Sequence, residues 1–194
     1  MTSTTPKSFS DLYAAYAAGC LDPAFAMMVE TQSLLRPEIR QSVAVSEMIS
    51  GTLLETAPEA RLNDGALDRA LPDPVRVAAL DAIGRKGWQV MGRGLKRLTL
   101  ETGSSMETEL YRIAPGARIP RHSHAGSEYT LVVAGGFTDE RGSYGPGDVI
   151  INGPDDCHQP VGDEGEVCYA LAVRDGGLRF TGMIGVIQRL LGAQ

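Results

Sequence analysis

Cysteine, histidine and tryptophan are scarce in this 194-residue chain, numbering three, three and one, and aromatic residues make up only 6% of it. Cys20, Cys157 and Cys168 form an odd, scattered set, which argues against a disulfide framework. No apolar run approaches the ~18–20 residues that span a bilayer, so no membrane association is expected. Residues 1–10 lack the apolar core of a secretory signal, and a cytoplasmic location is the expectation. Basic runs are also missing. Eighteen Lys and Arg stand against 24 Asp and Glu, net −6, so direct nucleic-acid binding is not expected. The remaining composition, 43% hydrophobic and 22% charged, is that of an ordinary globular protein.

Two textures divide the chain. Residues 8–70 read as helices: an alanine-rich run after Ser10-Asp11, then a second helix opened by Asp22 as N-cap with Pro23 at the first helical position. A third starts at Pro37 and runs to about Glu55, and Asn63-Asp64-Gly65 caps a short fourth segment. Residues 1–70 carry 5 basic and 9 acidic side chains, a charge that suits a basic partner or plain solvation. The seam is expected at 71–74. Beyond it, short β-prone runs at 88–91, 95–100, 108–113, 129–133, 148–151 and 167–173 alternate with Gly/Pro/Asp turns, the pattern of a closed or sandwiched all-β unit. Residues 183–191 fit either a helix or a strand.

All three histidines fall within one stretch. His122-Ser123-His124 places two imidazoles on one face of a strand, because side chains alternate with period two. Glu128 lies at the next even offsets, and an antiparallel neighbour can bring His158 opposite them. Three imidazole nitrogens and one carboxylate are ligand types for a first-row divalent metal such as zinc, iron, manganese or nickel.

The glycines around these residues extend the pattern. Gly116, five residues, His122-x-His124, three residues, Glu128, six residues and Gly135 resembles the first signature of the cupin family, and Gly147-Asp148, Pro154 and His158 are similar to the second. The resemblance implies a double-stranded β-helix (jelly-roll) barrel with the ligands pointing into its mouth. The helical half adds a second resemblance. LYAAYAAGCLDPAFAMMVETQSLL, LPDPVRVAAL, the Trp88 region, GDVIINGPDDCHQP and GLRFTGMIG look like the ChrR family of anti-sigma factors.

That resemblance implies an α+β, two-domain chain: an N-terminal helical bundle over 1–70 followed by an all-β cupin over 71–194. It implies an extracytoplasmic-function (ECF) sigma factor as partner, masked by the helices. The cupin would hold one metal per chain, zinc before iron, manganese or nickel, and sense oxidative stress of the singlet-oxygen type; a homodimer is compatible with it. Cys157, beside His158, is a candidate redox sensor with an inert turn residue as the alternative, while Cys20 and Cys168 are expected to be small packing residues. The family's N-terminal zinc motif, a histidine near the start and H-x3-C-x2-C, is not kept. Gln32, Arg36 and Ile39 occupy the matching positions, and residues 1–11 contain no histidine. Without that metal, the apolar faces of Leu12, Tyr16, Met27, Met28, Leu34 and Val43 need further packing: against the cupin, a second chain or the sigma factor. A metal-dependent cupin enzyme (dioxygenase or isomerase) and a small-molecule-binding cupin are the alternative readings. For the enzyme, Glu109, Tyr111, Arg121 and Tyr129 are candidate neighbours of the metal.

Overall fold

The computed structural model describes residues 9–50 and 71–180. The expectations for 51–70, including the end of the third helix and the fourth segment, and for 183–191 lie outside the described residues. Asp22 caps the second helix as its chemistry requires: its carboxylate accepts the Ala24 N–H at 2.9 Å, and Pro23 follows as the first helical residue. The helices are α1 (Phe9–Ala17), α2 (Pro23–Leu35), α3 (Pro37–Ser50) and α4 (Asp73–Arg85). A single extended residue, Arg36, separates α2 from α3.

Helix α4, where no helix was expected, fills the stretch between the seam and the first β-prone run. Asp73 and Pro74 start a helix here, with Val75, Ala79 and Ala82 buried along one stripe. Leu34 is not covered by the barrel. It is 50% exposed, because it lies two residues past buried Gln32 and so about 200° around the helix. Leu12, Met28 and Val43 are buried, and Tyr16 and Met27 pack partly against the same core.

Eleven strands follow among the described residues: β1 (Gln89–Gly92), β2 (Leu95–Thr99), β3 (Glu107–Ile113), β4 (His122–His124), β5 (Glu128–Ala134), β6 (Phe137–Asp139), β7 (Gly142–Tyr144), β8 (Val149–Asn152), β9 (Val161–Gly162), β10 (Cys168–Arg174) and β11 (Leu178–Phe180). Six form an antiparallel sheet in the order β1-β2-β3-β10-β5-β8, and the rest form a three-stranded (β7-β6-β9) and a two-stranded (β11-β4) sheet.

At the centre of the six-stranded sheet β5 and β10 are buried on both faces, which explains why they are largely apolar. Tyr129, Leu131, Val133, Tyr169, Leu171 and Val173 belong to one core with Phe25, Met28 and Val29 of α2. Val132, Cys168, Ala170 and Ala172, at the alternate positions, share a second core with Tyr111, Phe137 and Ile150 inside the barrel. The helices are therefore a layer on the outer face of the barrel, as the edge-to-face contact of Phe25 and Tyr129 at 4.9 Å shows.

The residues standing at the family's zinc positions fix that layer. Gln32 is buried, accepts the Tyr13 hydroxyl at 2.9 Å and donates to the Gly147 carbonyl at 3.0 Å. Arg36 donates to the Pro146 carbonyl at 2.8 Å and to Asp148 at 2.7 Å, while Ile39 packs against the core. Gly147 has φ +87°, and a Cβ there would collide with the Arg36 side chain. The turn between β7 and β8 is thus shaped to receive α2.

Candidate metal centre

The alternation that divides the two cores also selects the site. Glu128, at the start of β5, shares the barrel-facing parity of Thr130 and Val132, so its carboxylate points inward with the two imidazoles of β4. His158 arrives by an antiparallel bridge: His122 and His158 exchange backbone hydrogen bonds of 3.1 and 3.0 Å. Between β4 and β5 the chain bends at Gly126, where a Cβ would lie 2.0 Å from the Asp175 carboxylate. That carboxylate accepts the Ser127 N–H at 2.7 Å and holds the corner.

His122, His124, Glu128 and His158 are all buried, and one ligand atom from each lies within 4.8 Å of every other. The tautomers follow from the partners. His122 Nδ1 lies 2.8 Å from the Pro120 carbonyl and His158 Nδ1 lies 2.9 Å from the Asp139 carboxylate. Both partners only accept, so both rings carry the proton on Nδ1 and present an Nε2 lone pair. These two Nε2 atoms face each other at 3.2 Å, an electrostatically unfavourable pair unless a cation lies between them. Two nitrogens bound at 2.0–2.1 Å to one tetrahedral ion stand about 3.3 Å apart. Neither ring nitrogen of His124 has a hydrogen-bond partner. The donor set could therefore hold a divalent ion, and the chemistry of its lone pairs fits one.

Burial, reinforced by the neighbouring His158, holds His122 down at about 4, and burial lowers His124 as well. His122 and His124 are therefore neutral at pH 7, as ligation requires. Below pH 6.5, the ordinary value for His122, the unfolded chain takes up a proton that the folded site refuses. The metal-free protein is expected to lose stability from about pH 6.5 down to about pH 4. Thermal melts of chelator-treated protein at pH 7 and pH 5 check this. The drop should shrink in a His122→Gln variant, and an equal drop in both contradicts it.

An ionic network that the sequence reading missed supports Glu128. Arg174, 3% exposed, ends β10. It pairs with Glu109, bonds Glu107 at 2.7 Å and the Tyr111 hydroxyl at 3.1 Å, and lies 3.5 Å from Glu128. Tyr111 donates to Glu109 at 2.7 Å, and Arg97 reaches Glu109 at 3.2 Å. Thr130 donates to Glu128 at 3.1 Å.

Of the four candidate neighbours, Tyr111 lines the cavity and Glu109 binds its hydroxyl. Tyr129 faces the helices instead, having the opposite strand parity, and Arg121 pairs with Glu140 at the surface. The cavity is small, about 30 Å³, and its walls include Ile119, Phe137, Ala170 and Leu178. That is room for a water or two beside an ion. Cys168 is buried, which pushes its thiol up to about 12, whereas Cys157 is exposed. Cys20 is exposed as well and not a packing residue, because it follows the end of α1.

Comparison with known proteins places the whole arrangement. Residues 78–175 match the family model described as the ChrR cupin-like domain. The anti-sigma-E factor ChrR of Cereibacter sphaeroides is 34% identical over 193 residues, which cover 89% of this chain and 91% of that protein. The crystal structure of Rhodobacter sphaeroides SigE in complex with the anti-sigma ChrR aligns with a TM-score of 0.69 at 34% identity, covering 87% of this chain and 97% of that one. No helix among the described residues is long and apolar enough to cross a membrane.

Proposed function

This chain belongs to the ChrR cupin-like family, and on that premise we propose that it is an anti-sigma factor that sequesters an ECF sigma factor. Residues 1–70 would supply the masking helices and residues 71–194 the cupin. The observation that carries this reading is the extent of the similarity. It runs through the helical half as well as the barrel, over 89% of the chain, to a protein named as an anti-sigma factor. Cupin similarity alone would not reach the helices.

The reading assigns His122, His124, Glu128 and His158 as ligands of one ion per chain, with zinc as the metal. These four residues would hold the ion, which would tie β4, β5 and the segment carrying His158 together. The residues themselves contribute pre-set tautomers, burial and the Arg174 network that keeps Glu128 in place. Release of the sigma factor under singlet-oxygen-type stress completes the reading, with the protein acting in the cytoplasm.

Co-expression with the ECF sigma factors of the same cell tests it. A stable complex of equal stoichiometry is expected with one of them, and illumination with a singlet-oxygen sensitiser should dissociate it. Failure to capture any sigma factor overturns the anti-sigma reading.

A further inference from the structure

The three imidazoles of the cluster are held by unequal partners. His158 Nδ1 meets a carboxylate, His122 Nδ1 meets a neutral carbonyl, and His124 has no hydrogen-bond partner on either nitrogen. The carboxylate belongs to Asp139, the last residue of β6, whose side chain is fully buried. Both of its oxygens are engaged. Oδ2 accepts from His158 at 2.9 Å and lies 3.6 Å from the Arg141 guanidinium, while Oδ1 accepts the Arg141 N–H at 2.8 Å and the Tyr144 hydroxyl at 3.4 Å. The carboxylate therefore cannot turn away from the ring.

A ring N–H donated to a carboxylate leaves the opposite nitrogen richer in electrons than one donated to a carbonyl, and it fixes the ring's orientation as well. We propose that Asp139 is a positioning residue that makes His158 the strongest donor of the cluster, so that the ion is anchored at His158 and held less tightly by the other two rings. The proposal rests on reading the cluster as a metal site. Asp139 itself touches the far side of the ring and is not a ligand.

Zinc affinity, measured at fixed pH by competition with a chromophoric chelator, is compared in the parent, Asp139→Asn, His158→Gln and the double variant. Asp139→Asn keeps the shape and one acceptor but removes the charge. It is expected to weaken zinc binding 10–100-fold and to shift the ligand-field bands of the cobalt-loaded chain. In the His158→Gln background the same change should have little further effect. Affinity within threefold of the parent, or an equal loss in both backgrounds, overturns the proposal while leaving the metal site standing. A parent chain that binds no zinc overturns the metal reading itself, and this proposal with it. Proton NMR of the unmutated, zinc-loaded chain needs no variant: the Nδ1 proton of His158 should resonate downfield of that of His122, and the reverse order overturns the proposal.

Discussion

Replacing His122, His124 and His158 together by alanine is expected to reduce metal content from one ion per chain to none, as read by elemental analysis of freshly purified protein. His122→Ala alone should weaken binding by a hundredfold or more. Structural zinc sites bind with ~10–16 kcal/mol shared over four ligands, so one ligand is worth on the order of 3 kcal/mol. Ser123 cannot take its place, because it points to the other face of β4 and is only partly buried while its neighbours are buried. Among the described residues of the helical half, Gln32 and Arg36 offer no substitute ligands, being committed to the β7–β8 turn. Two ions per chain, or an ion retained by the triple variant, would contradict this assignment.

The largest loss of fold stability is expected from Arg174→Met. The guanidinium is 3% exposed and serves Glu109, Tyr111 and Glu128 at once. Methionine fills the space but strands the Glu109 carboxylate in the barrel with Arg97 as its only remaining cationic partner among the described contacts. Breaking a buried pair in this way costs about 3–5 kcal/mol, or a fall in melting temperature of roughly 6–20 °C for a chain of this size. Pairing it with Glu109→Gln should recover part of the loss, because the stranded charge goes with it. Thermal melts of the metal-free proteins separate this effect from any change at the metal. A single-variant shift under 3 °C would sink the idea.

The difference between what could and could not be read from the sequence is the difference between local and distant information. His122, His124 and Glu128 lie within seven residues and share one strand parity, so their convergence is a local fact. The long strands β5 and β10 also announce themselves, being largely apolar runs near glycine turns. The short strands β6, β7, β9 and β11, two or three residues each, carry too little pattern to be recognised. Helix α4 did carry a signal. Pro72-Asp73-Pro74 is helix-start chemistry as much as a seam, and Val75, Ala79 and Ala82 repeat at helical spacing. Arg174 is a charge closing an apolar strand, but its partners depend on the pairing of β10 with β3, where Arg174 meets Glu107 and Ala172 meets Glu109. Asp139 stands beside Glu140 and Arg141 in the sequence, with nothing local to tie it to a histidine. Only the folded hairpin brings it under His158.

The layering of α2 on the outer face of the barrel also sets an order of events on the ribosome. Gln32 bonds a carbonyl that lies 115 positions further along the chain. At about 5–20 residues per second, that carbonyl is made on the order of ten seconds after Gln32. During this interval Phe25, Met28 and Val29 have emerged without the sheet that later covers them. The nascent helices therefore spend their first seconds with an uncovered apolar face, and β5 and β10 must be synthesised before it closes.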